Sequence, residues 1–321
     1  MTGEKVIVTE PIYEDGLAIL RKGAEVIYLP ELPGQTLWGV IKEAQGVAVR
    51  VSKITADLLA QADNLKIIAK HGVGYDNIDV EAATQRHIVV VNTPEANAES
   101  VAEHNLGLML SISKNITTTD RVLRQNRLRR REDYTGVELK DKKLGLIGLG
   151  KIGSELARKC KIAFDMKVIA YDPYVPKERA EQQGYTKVEK LDEVLGEADY
   201  VVICVPLTKE TANLIGAREL GLMKANAFLV NSSRGGIVDE TALYDCLVKG
   251  KIAGAALDVF SQEPPPAEHP LLGLDNFIAT PHIGGVTEEA MRRMAITVAE
   301  EILRVLRGER PKYPVNPQVL A

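Results

Sequence analysis

The chain has 321 residues, a formal net charge of −4, and 45% hydrophobic and 26% charged residues. That length is sufficient for two domains with separate cores, and the composition is typical of a globular protein. The acidic charge gives no global attraction to nucleic acid or to an anionic membrane, and no apolar run is as long as a membrane span. We therefore expect neither partner.

The start of the chain and its three cysteines predict a cytoplasmic protein. A strand pattern begins at Val6, which leaves no room for a signal peptide. Cys160, Cys204 and Cys246 lie within helix or strand patterns and lack metal-ligand spacing. We expect buried thiols in a reducing compartment and no metal site.

Residues 1 to about 95 alternate short apolar strands with helical stretches. The predicted strands are 6–8, 26–28, 47–49, 67–69 and 88–91. Such alternation indicates a parallel sheet that is covered on both faces.

Thr93-Pro94 ends this region, and a long helix is predicted from about Ala98 to Arg124. That helix could cross between domains or form a dimer contact. An arginine run follows, from Arg121 to Arg131. A nucleic-acid patch would need interleaved aromatic residues, so a solvated helix end with cations near its C-terminus is the favoured interpretation.

A second α/β region starts at Lys142 and carries a glycine-rich motif. The apolar strand 144–147 runs into Gly148, Gly150 and Gly153, which have the G-x-G-x-x-G spacing, and a helix pattern follows. The first glycine permits a tight turn, the second allows backbone to approach a pyrophosphate, and the third allows close packing of helix on strand. The helix N-terminus would bind the pyrophosphate.

Asp172 ends the next predicted strand, 168–171, and lies 19 residues after Gly153. An acid at about this distance binds the adenosine ribose in dinucleotide-binding folds. The carboxylate would repel a 2′-phosphate, and residues 173–175 supply no arginine to attract one. The alternative, an ordinary βα turn, does not explain strand, glycines, helix and acid together. The sequence therefore favours NAD over NADP.

The remaining strands are predicted at 200–205, 228–231, 255–259 and 277–280, and a final helix begins after Thr287. Its single apolar face predicts that it returns to pack on the first region. We expect two α/β domains with doubly wound parallel sheets. One would comprise residues 1–97 and 288–321, and the other residues 98–287, including the long helix.

Polar side chains follow three strands of the second region, at the sheet edge where ligands bind. Arg234 lies among small residues and could hold a carboxylate through two parallel hydrogen bonds. Asp258 ends a strand, and Glu263 lies in the loop that follows. Of the five histidines, His282 alone caps a strand of this region; a glutamate partner would favour its protonated form. We interpret His87 and His104 as structural and His269 as solvent-facing.

Four motifs resemble, in order, those of the D-isomer-specific 2-hydroxyacid dehydrogenase family: residues 148–153, 230–239, 256–264 and 280–285. The likeness is strongest to phosphoglycerate dehydrogenases and hydroxypyruvate reductases. It implies two flavodoxin-like domains, usually as a homodimer, and a catalytic set of Arg234, Glu263 and His282. Arg234 would bind the substrate carboxylate and polarise the 2-oxo group. His282 would donate the proton during reduction, and Glu263 would orient and charge it.

The resemblance also implies the residues that bind NAD and the substrate acid. Those expected at the cofactor are Gly148, Gly150, Lys151, Ile152, Gly153, Asp172, Cys204, Val205, Pro206, Thr211, Asp258 and Gly284. Those expected at the substrate are Arg50, Lys53, His71, Gly72, Val73, Gly74, Arg234 and His282. Backbone N–H groups of the loop at 71–79 would hold the carboxylate. Arg50, Lys53 and Lys70 could bind a phosphate; alternatively, Arg50 and Lys53 are merely solvated at a strand end.

The expected activity is interconversion of a D-2-hydroxy acid and its 2-oxo acid. The leading pairs are 3-phosphoglycerate with 3-phosphohydroxypyruvate and glycerate with hydroxypyruvate. Sulfolactate, glyoxylate and phosphite are alternatives. Formate is disfavoured, because the resemblance implies a glutamine in formate dehydrogenases at the position that Glu263 occupies here. A different class with the same fold is an NAD-sensing, corepressor-like binding protein.

Overall fold

The computed structural model describes residues 3–320, and its contacts divide the chain into two compact units. The first unit runs up to Asn97 and resumes at Val286, and the second unit is Ala98–Gly285. Each unit is an α/β fold built on one parallel sheet, as the alternation of strands and helices predicts.

The sheet of the first unit has the strand order β2-β1-β3-β4-β5. Its strands are β1 Lys5–Val8, β2 Glu25–Tyr28, β3 Gly46–Val49, β4 Ile67–Lys70 and β5 Val89–Val91. The order is that of flavodoxin-like folds, and it reverses between β1 and β3. Loops after β1, β3 and β4 therefore meet at the edge where such folds bind ligands.

Helices cover both faces of this sheet. Before residue 98 they are α1 Glu14–Gly23, α2 Leu37–Val40, α3 Ala56–Leu59 and α4 Val80–Gln85. The helices of the second unit, which belong to its own sheet, are α5 Ala98–Ser113, α6 Ile116–Arg124, α7 Lys151–Phe164, α8 Lys177–Gln182, α9 Leu191–Glu197, α10 Ala217–Leu222 and α11 Glu240–Val248. The chain returns to the first unit with α12 Glu288–Leu306. Short 3₁₀ turns occupy Leu29–Glu31, Ile41–Glu43, Arg131–Tyr134, Pro270–Gly273 and Pro317–Leu320.

Helix α12 packs along α1 in the first unit. The Thr287 hydroxyl accepts the Ala290 N–H (3.2 Å) and caps the helix. The two helices approach so closely that a Cβ on Gly16 would lie 2.5 Å from the Ala295 carbonyl oxygen. After α12, the buried Asn316 accepts the Val90 N–H (2.8 Å), so the C-terminal segment covers the edge of β5.

The sheet of the second unit has the order β12-β11-β10-β9-β6-β7-β8. Its strands are β6 Lys143–Ile147, β7 Lys167–Tyr171, β8 Thr186–Val188, β9 Tyr200–Ile203, β10 Phe228–Asn231, β11 Gly254–Leu257 and β12 Phe277–Ala279. The order reverses between β6 and β9, and the crevice beyond the carboxyl ends at such a reversal binds dinucleotides. The expectation of two doubly wound parallel sheets is confirmed.

The prediction of one continuous helix from Ala98 to Arg124 is wrong, because the structure contains two helices, α5 and α6, over these residues. Asn115 has a φ of +55° and separates α5 from α6. Asparagine tolerates this left-handed conformation better than most residues. The Ser113 hydroxyl also bonds back to the Met109 carbonyl, which weakens a helix end.

Three arginines of the run at the end of α6 and after it pair with nearby acids. Arg121 pairs with Asp275, Arg124 with Asp120, and Arg130 with Asp133.

None of the helices within residues 3–320 combines the length and apolar character that a membrane crossing requires. Across the same residues, no group of three His, Cys, Asp or Glu side chains is arranged to hold a metal ion.

Candidate active site

The glycine motif forms the turn between β6 and α7. Gly148 has a φ of +97°, and a Cβ there would lie 2.5 Å from the Cys204 carbonyl oxygen. A Cβ on Gly153 would lie 2.3 Å from the Gly148 carbonyl oxygen. Both positions therefore require glycine.

Gly150 is different, because a Cβ there would meet no atom of the described residues within 4 Å. Gly150 is also the N-cap of α7, and its position supplies no side chain to bond the first N–H groups of the helix. An open backbone surface at an uncapped helix N-terminus fits a pyrophosphate. Lys151 and Ile152 form the first helical residues of this turn.

Asp172 connects the glycine turn to the end of β7. Its carboxylate accepts N–H bonds from Leu149 (2.8 Å), Tyr174 (2.9 Å) and Val175 (3.2 Å). An ionised carboxylate has about four acceptor sites, so capacity remains for a ribose hydroxyl. The acid that was expected to bind the ribose thus also orders the turn beside it.

A second loop of the cofactor edge follows β9 at Cys204, Val205 and Pro206. The Thr211 hydroxyl donates to the Pro206 carbonyl (2.7 Å) and accepts the Thr208 N–H (2.7 Å), which closes the loop. Burial raises the pKa of the Cys204 thiol to about 12, so this group is protonated at neutral pH. Cys204 is therefore a packing residue and not a nucleophile.

Arg234 lies in a tight turn after β10. The Asn231 side chain closes the turn by accepting the Ser233 N–H and donating to the Arg234 carbonyl (both 2.9 Å). A Cβ on Gly235 would lie 1.9 Å from the Phe260 carbonyl oxygen, so this turn packs directly on the chain after β11. The guanidinium is partly buried, and its Nη1 donates to the Ser233 carbonyl (2.6 Å).

Glu263 and His282 are brought together from the loops after β11 and β12. The Nδ1 atom of His282 lies 2.8 Å from Oε2 of Glu263, and the Phe260 N–H donates to Oε1 (3.1 Å). Because an ionised carboxylate only accepts hydrogen bonds, Nδ1 carries the proton of this pair. Nε2 is then the ring atom that can exchange a proton with another molecule.

The charge of Glu263 is set by its neighbours. Burial alone would raise the pKa of this carboxyl group. The hydrogen bond and charge of His282, the Phe260 N–H and the charge of Arg234 outweigh burial and lower that pKa below its usual value. Glu263 is therefore ionised at neutral pH and accepts the hydrogen bond of the His282 ring.

Asp258 fixes the turn that carries His282. Its buried carboxylate accepts the Thr280 hydroxyl (2.6 Å) and the N–H groups of Ile283 (2.9 Å) and Gly284 (2.8 Å). Its own carbonyl accepts the His282 N–H (2.8 Å). These bonds hold His282 in a left-handed conformation, with a φ of +55°.

His104 from α5 completes this cluster. Its Nε2 atom lies 3.2 Å from the Thr280 hydroxyl and 3.4 Å from Oδ1 of Asp258. A Cβ on Gly284 would lie 3.1 Å from the Asp258 carboxylate and 3.3 Å from the His104 ring, so glycine permits the close approach. The interpretation of His104 as structural did not anticipate that it supports the loop of His282.

In the first unit, the loop of Arg50 and Lys53 is held by Glu10. That carboxylate accepts the Arg50 N–H (2.7 Å), the Ser52 N–H (2.7 Å) and the Ser52 hydroxyl (2.6 Å). Burial would raise the pKa of Glu10, but these hydrogen bonds and one from Thr9 lower it. The backbone that carries Arg50 is thus fixed by a residue 40 positions earlier in the sequence.

Lys70 braces the same loop from the other side. Its buried ammonium group donates to Oδ1 of Asn77 (2.6 Å) and to the Arg50 carbonyl. The Asn77 amide in turn donates to the Ser52 carbonyl (2.7 Å). Lys70, considered for phosphate binding, is therefore engaged in shaping the loop that presents Arg50.

The loop after β4 presents two backbone donors. The Gly72 N–H is used within the loop, on the Lys70 carbonyl (3.0 Å) and the Thr93 hydroxyl (3.1 Å). In the described part of the chain, the N–H groups of Val73 and Gly74 have no such partner. Two successive amides of this kind can hold a carboxylate.

His71 precedes this loop and is buried, with 3% of its surface exposed. Neither ring nitrogen has a hydrogen-bond partner among the described residues. Burial, together with the charge of Arg50, lowers the pKa of His71 from 6.5 to about 4. The ring is neutral at pH 7 and cannot serve as a cationic substrate ligand there.

This burial predicts a stability change with pH. The pKa of His71 is lower in the folded protein than in the unfolded chain, so the unfolded chain takes up the proton first as the pH falls. The free energy of unfolding is therefore unaffected by this histidine above pH 6.5 and decreases as the pH falls toward 4. We expect a loss of about 3 kcal/mol between pH 7 and pH 4. His71→Asn should remove that part of the pH dependence, measured by denaturant unfolding. His87→Asn, at an exposed histidine of the same unit, should leave it unchanged; equal behaviour of the two variants would contradict the assignment.

A doubly wound sheet with an open glycine turn and an acid after the second strand of the unit is typical of a dinucleotide-binding protein. An arginine, a glutamate and a histidine beyond three adjacent strands are residue types that can bind an acid and exchange a proton. Residues 106–284 match the NAD binding domain of the D-isomer specific 2-hydroxyacid dehydrogenases. The chain belongs to this family, and the resemblance of its four motifs is confirmed.

Individual relatives agree with this assignment. The chain is 47% identical over 313 residues to D-3-phosphoglycerate dehydrogenase of Methanocaldococcus jannaschii, covering 97% of this chain and 59% of that protein. It is 41% identical over 310 residues to hydroxypyruvate reductase of Thermotoga maritima, and the match covers 95% of this chain and 99% of that protein. The chain thus spans more than half, but less than two thirds, of the length of the phosphoglycerate dehydrogenase.

Solved structures show the same fold. D-lactate dehydrogenase of Aquifex aeolicus, complexed with NAD and lactic acid, aligns with a TM-score of 0.84 and 29% identity over 98% of this chain and 99% of that one. The TT0316 protein of Thermus thermophilus aligns with a TM-score of 0.87 and 36% identity, and the alignment covers 97% of this chain and 99% of that one. The cofactor of the second unit is NAD(H).

Proposed function

We propose that this protein is an NAD-dependent oxidoreductase that interconverts a D-2-hydroxy acid and its 2-oxo acid. The observation that carries the proposal is the bond between Glu263 and Nδ1 of His282, beside the turn of Arg234. In this assignment, residues 98–287 bind the dinucleotide, and residues 1–97 with 288–321 bind the substrate. When bound, NADH supplies the hydride for reduction.

His282 handles the proton. During reduction, Nε2 donates a proton to the 2-oxo oxygen, while Nδ1–H stays bonded to the Glu263 carboxylate. The ionised glutamate stabilises the imidazolium before transfer and keeps the ring in the required orientation. In the oxidative direction the same Nε2 accepts the proton of the hydroxyl group.

Arg234 is the residue of the second unit that is assigned to the substrate, and separate loops of the first unit are also suited to anions. A guanidinium can hold the substrate carboxylate and polarise the 2-oxo group, because it offers donors in a planar fork. The amides of Val73 and Gly74 are suited to the carboxylate. The loop of Arg50 and Lys53 is fixed by Glu10, which supports a role in binding a second anionic group of the substrate.

The proposed substrate pairs are 3-phosphoglycerate with 3-phosphohydroxypyruvate, and glycerate with hydroxypyruvate. Relatives bear the names D-3-phosphoglycerate dehydrogenase, hydroxypyruvate reductase and glyoxylate reductase. The braced Arg50 loop favours the phosphorylated pair, since a fixed backbone limits the ordering cost of a charge-assisted bond to phosphate.

The test compares initial rates of NADH oxidation with phosphohydroxypyruvate and hydroxypyruvate. Arg50→Ala is expected to lower kcat/KM for the phosphorylated acid roughly 10- to 100-fold, and for hydroxypyruvate far less. Arg50→Lys should retain part of the preference, and Arg86→Ala, at an exposed arginine of the same unit, should change neither. A wild-type preference for hydroxypyruvate would indicate a broader hydroxyacid reductase and would contradict the proposal that the Arg50 loop binds a substrate phosphate.

Cofactor choice is tested at Asp172. Asp172→Asn keeps one acceptor oxygen for the turn but removes the charge that repels a 2′-phosphate. We expect the kcat/KM preference for NADH over NADPH to narrow by roughly tenfold. Asp172→Ala should in addition raise the KM for NADH, because both acceptor oxygens are lost. An unchanged ratio in the asparagine variant would mean that Asp172 does not face the ribose.

We also propose a cytoplasmic homodimer. Ile116, Leu123 and Leu128 are exposed apolar residues on α6 and the segment after it, where a second copy could cover them. Burial raises the pKa of the Cys160 thiol to about 12, and an inert, reduced thiol suits a reducing compartment. The paired arginines near α6 support neither nucleic acid nor membrane as a partner.

A further inference from the structure

Glu240, the first residue of α11, bonds the loop that carries Glu263. Its Oε1 atom accepts both the Ser261 N–H (2.7 Å) and the Ser261 hydroxyl (2.8 Å). Its Oε2 atom lies 3.1 Å from Nε2 of His269. One carboxylate therefore holds both ends of the segment from residue 261 to 269, and Glu263 lies between them.

The segment is also held at Phe260, immediately before Ser261. The Phe260 N–H donates to Oε1 of Glu263, and the Phe260 carbonyl lies against Gly235 in the turn of Arg234. The Phe260 ring packs edge-on against His269, with centroids 5.6 Å apart. A short covalent and hydrogen-bonded path thus runs from Glu240 through residues 261 and 260 to Glu263.

Helix capping does not account for these contacts. Asp239 already caps α11, because its Oδ1 atom accepts the N–H groups of Thr241 and Ala242 (both 3.0 Å). Glu240 is largely buried, with 16% of its side chain exposed, and both its oxygens bond the loop. Its acidic group at a helix N-terminus adds a small stabilising term, but that term requires no loop contact.

We propose that Glu240 is a positioning residue, which holds the 261–269 loop so that the Glu263 carboxylate stays within hydrogen-bond distance of Nδ1 of His282. The inference rests on the proposed function, since it assigns Glu240 to the proton-transfer pair of the same site. His269, expected to face solvent, is in this account the second anchor of the loop.

Two substitutions at one position test the proposal. Glu240→Ala removes both anchors and should lower kcat about tenfold, because small displacements of a proton-transfer pair are costly. Glu240→Gln should restore part of the rate, since its amide oxygen can still accept from Ser261. Its NH₂ group can donate to His269 only in the tautomer that places the ring proton on Nδ1, which is buried without a partner among the described residues. The KM for the oxo acid and the affinity for NADH should stay within about twofold of wild type in both variants.

The pH profile distinguishes positioning from a general loss of stability. Loosening the loop weakens the bonds that keep Glu263 ionised, so the acidic limb of the kcat profile should move to higher pH in Glu240→Ala and not in Glu240→Gln. Glu288→Ala is the matched control, because Glu288 is the first residue of α12 and is largely exposed. It should leave both kcat and the profile unchanged.

Hydrogen exchange of the Phe260 and Ser261 amides reports the loop without any turnover. Faster exchange in Glu240→Ala than in Glu240→Gln or wild type is the expected result. Faster exchange with a wild-type kcat and pH profile would overturn the role of Glu240 in catalysis, and unchanged exchange would overturn its role in holding the loop. Failure of the wild-type protein to turn over any 2-oxo acid would instead refute the proposed function, and the exchange data would still be interpretable.

Discussion

Replacing His282 is expected to lower kcat by a factor of about 10² to 10⁴ while NADH still binds with wild-type affinity. Nε2 of this ring is the only proton donor assigned to the 2-oxo oxygen, and Nδ1 is bonded to Glu263. The glycine turn and Asp172, which are assigned to the dinucleotide, are not altered by the change. The loss should therefore be in the chemical step.

The backbone at His282 determines which variants are informative. Its φ of +55° makes alanine costly for a structural reason, whereas asparagine tolerates this conformation and cannot serve as the same acid. We expect His282→Ala and His282→Asn to lose similar activity, with NADH affinity measured by fluorescence. An equal loss of NADH affinity in the asparagine variant, or retention of a tenth of the wild-type kcat, would contradict the role of His282.

Arg234→Lys is expected to lower kcat/KM for the 2-oxo acid about 100-fold, although the charge is retained. Lysine lacks the planar fork that holds a carboxylate through two bonds. The turn itself should persist, because it is closed by Asn231 and by the contact of Gly235 with Phe260, and not by the guanidinium alone.

The matched control is Arg218→Lys, at an exposed arginine that pairs with Asp192 and Glu219. Steady-state rates with the oxo acid and the dissociation constant for NADH should be unchanged in it. If Arg234→Lys weakened NADH binding as strongly as it lowers kcat/KM, Arg234 would belong to the cofactor site and not to the substrate.

The fold could be predicted because its signals are local in sequence. Apolar strands of three to five residues alternate with helical stretches, and Gly148 and Gly153 of the motif occupy positions where a turn or a close approach requires glycine. The same applies to Arg234, Asp258 and His282, since each lies within three residues of the end of a predicted strand and the strands β10, β11 and β12 are neighbours in the sheet.

The contacts that hold these residues in position could not be predicted, because they join distant segments. Glu10 bonds a loop 40 residues away, and His104 reaches Asp258 across more than 150 residues. No spacing rule predicts such pairs. The break at Asn115 was missed for a different reason, since the apolar pattern of α5 and α6 continues across it.

The measurement that tests the central claim most directly is deuterium transfer from NADH labelled at C4 of the nicotinamide. We predict that wild-type protein yields a 2-hydroxy acid with deuterium at C2 from phosphohydroxypyruvate, hydroxypyruvate or glyoxylate, with the D configuration in the phosphoglycerate or glycerate product, and that His282→Asn yields almost none. A protein that binds NADH tightly but forms no labelled product from any of these acids, or forms the L isomer, would contradict the account.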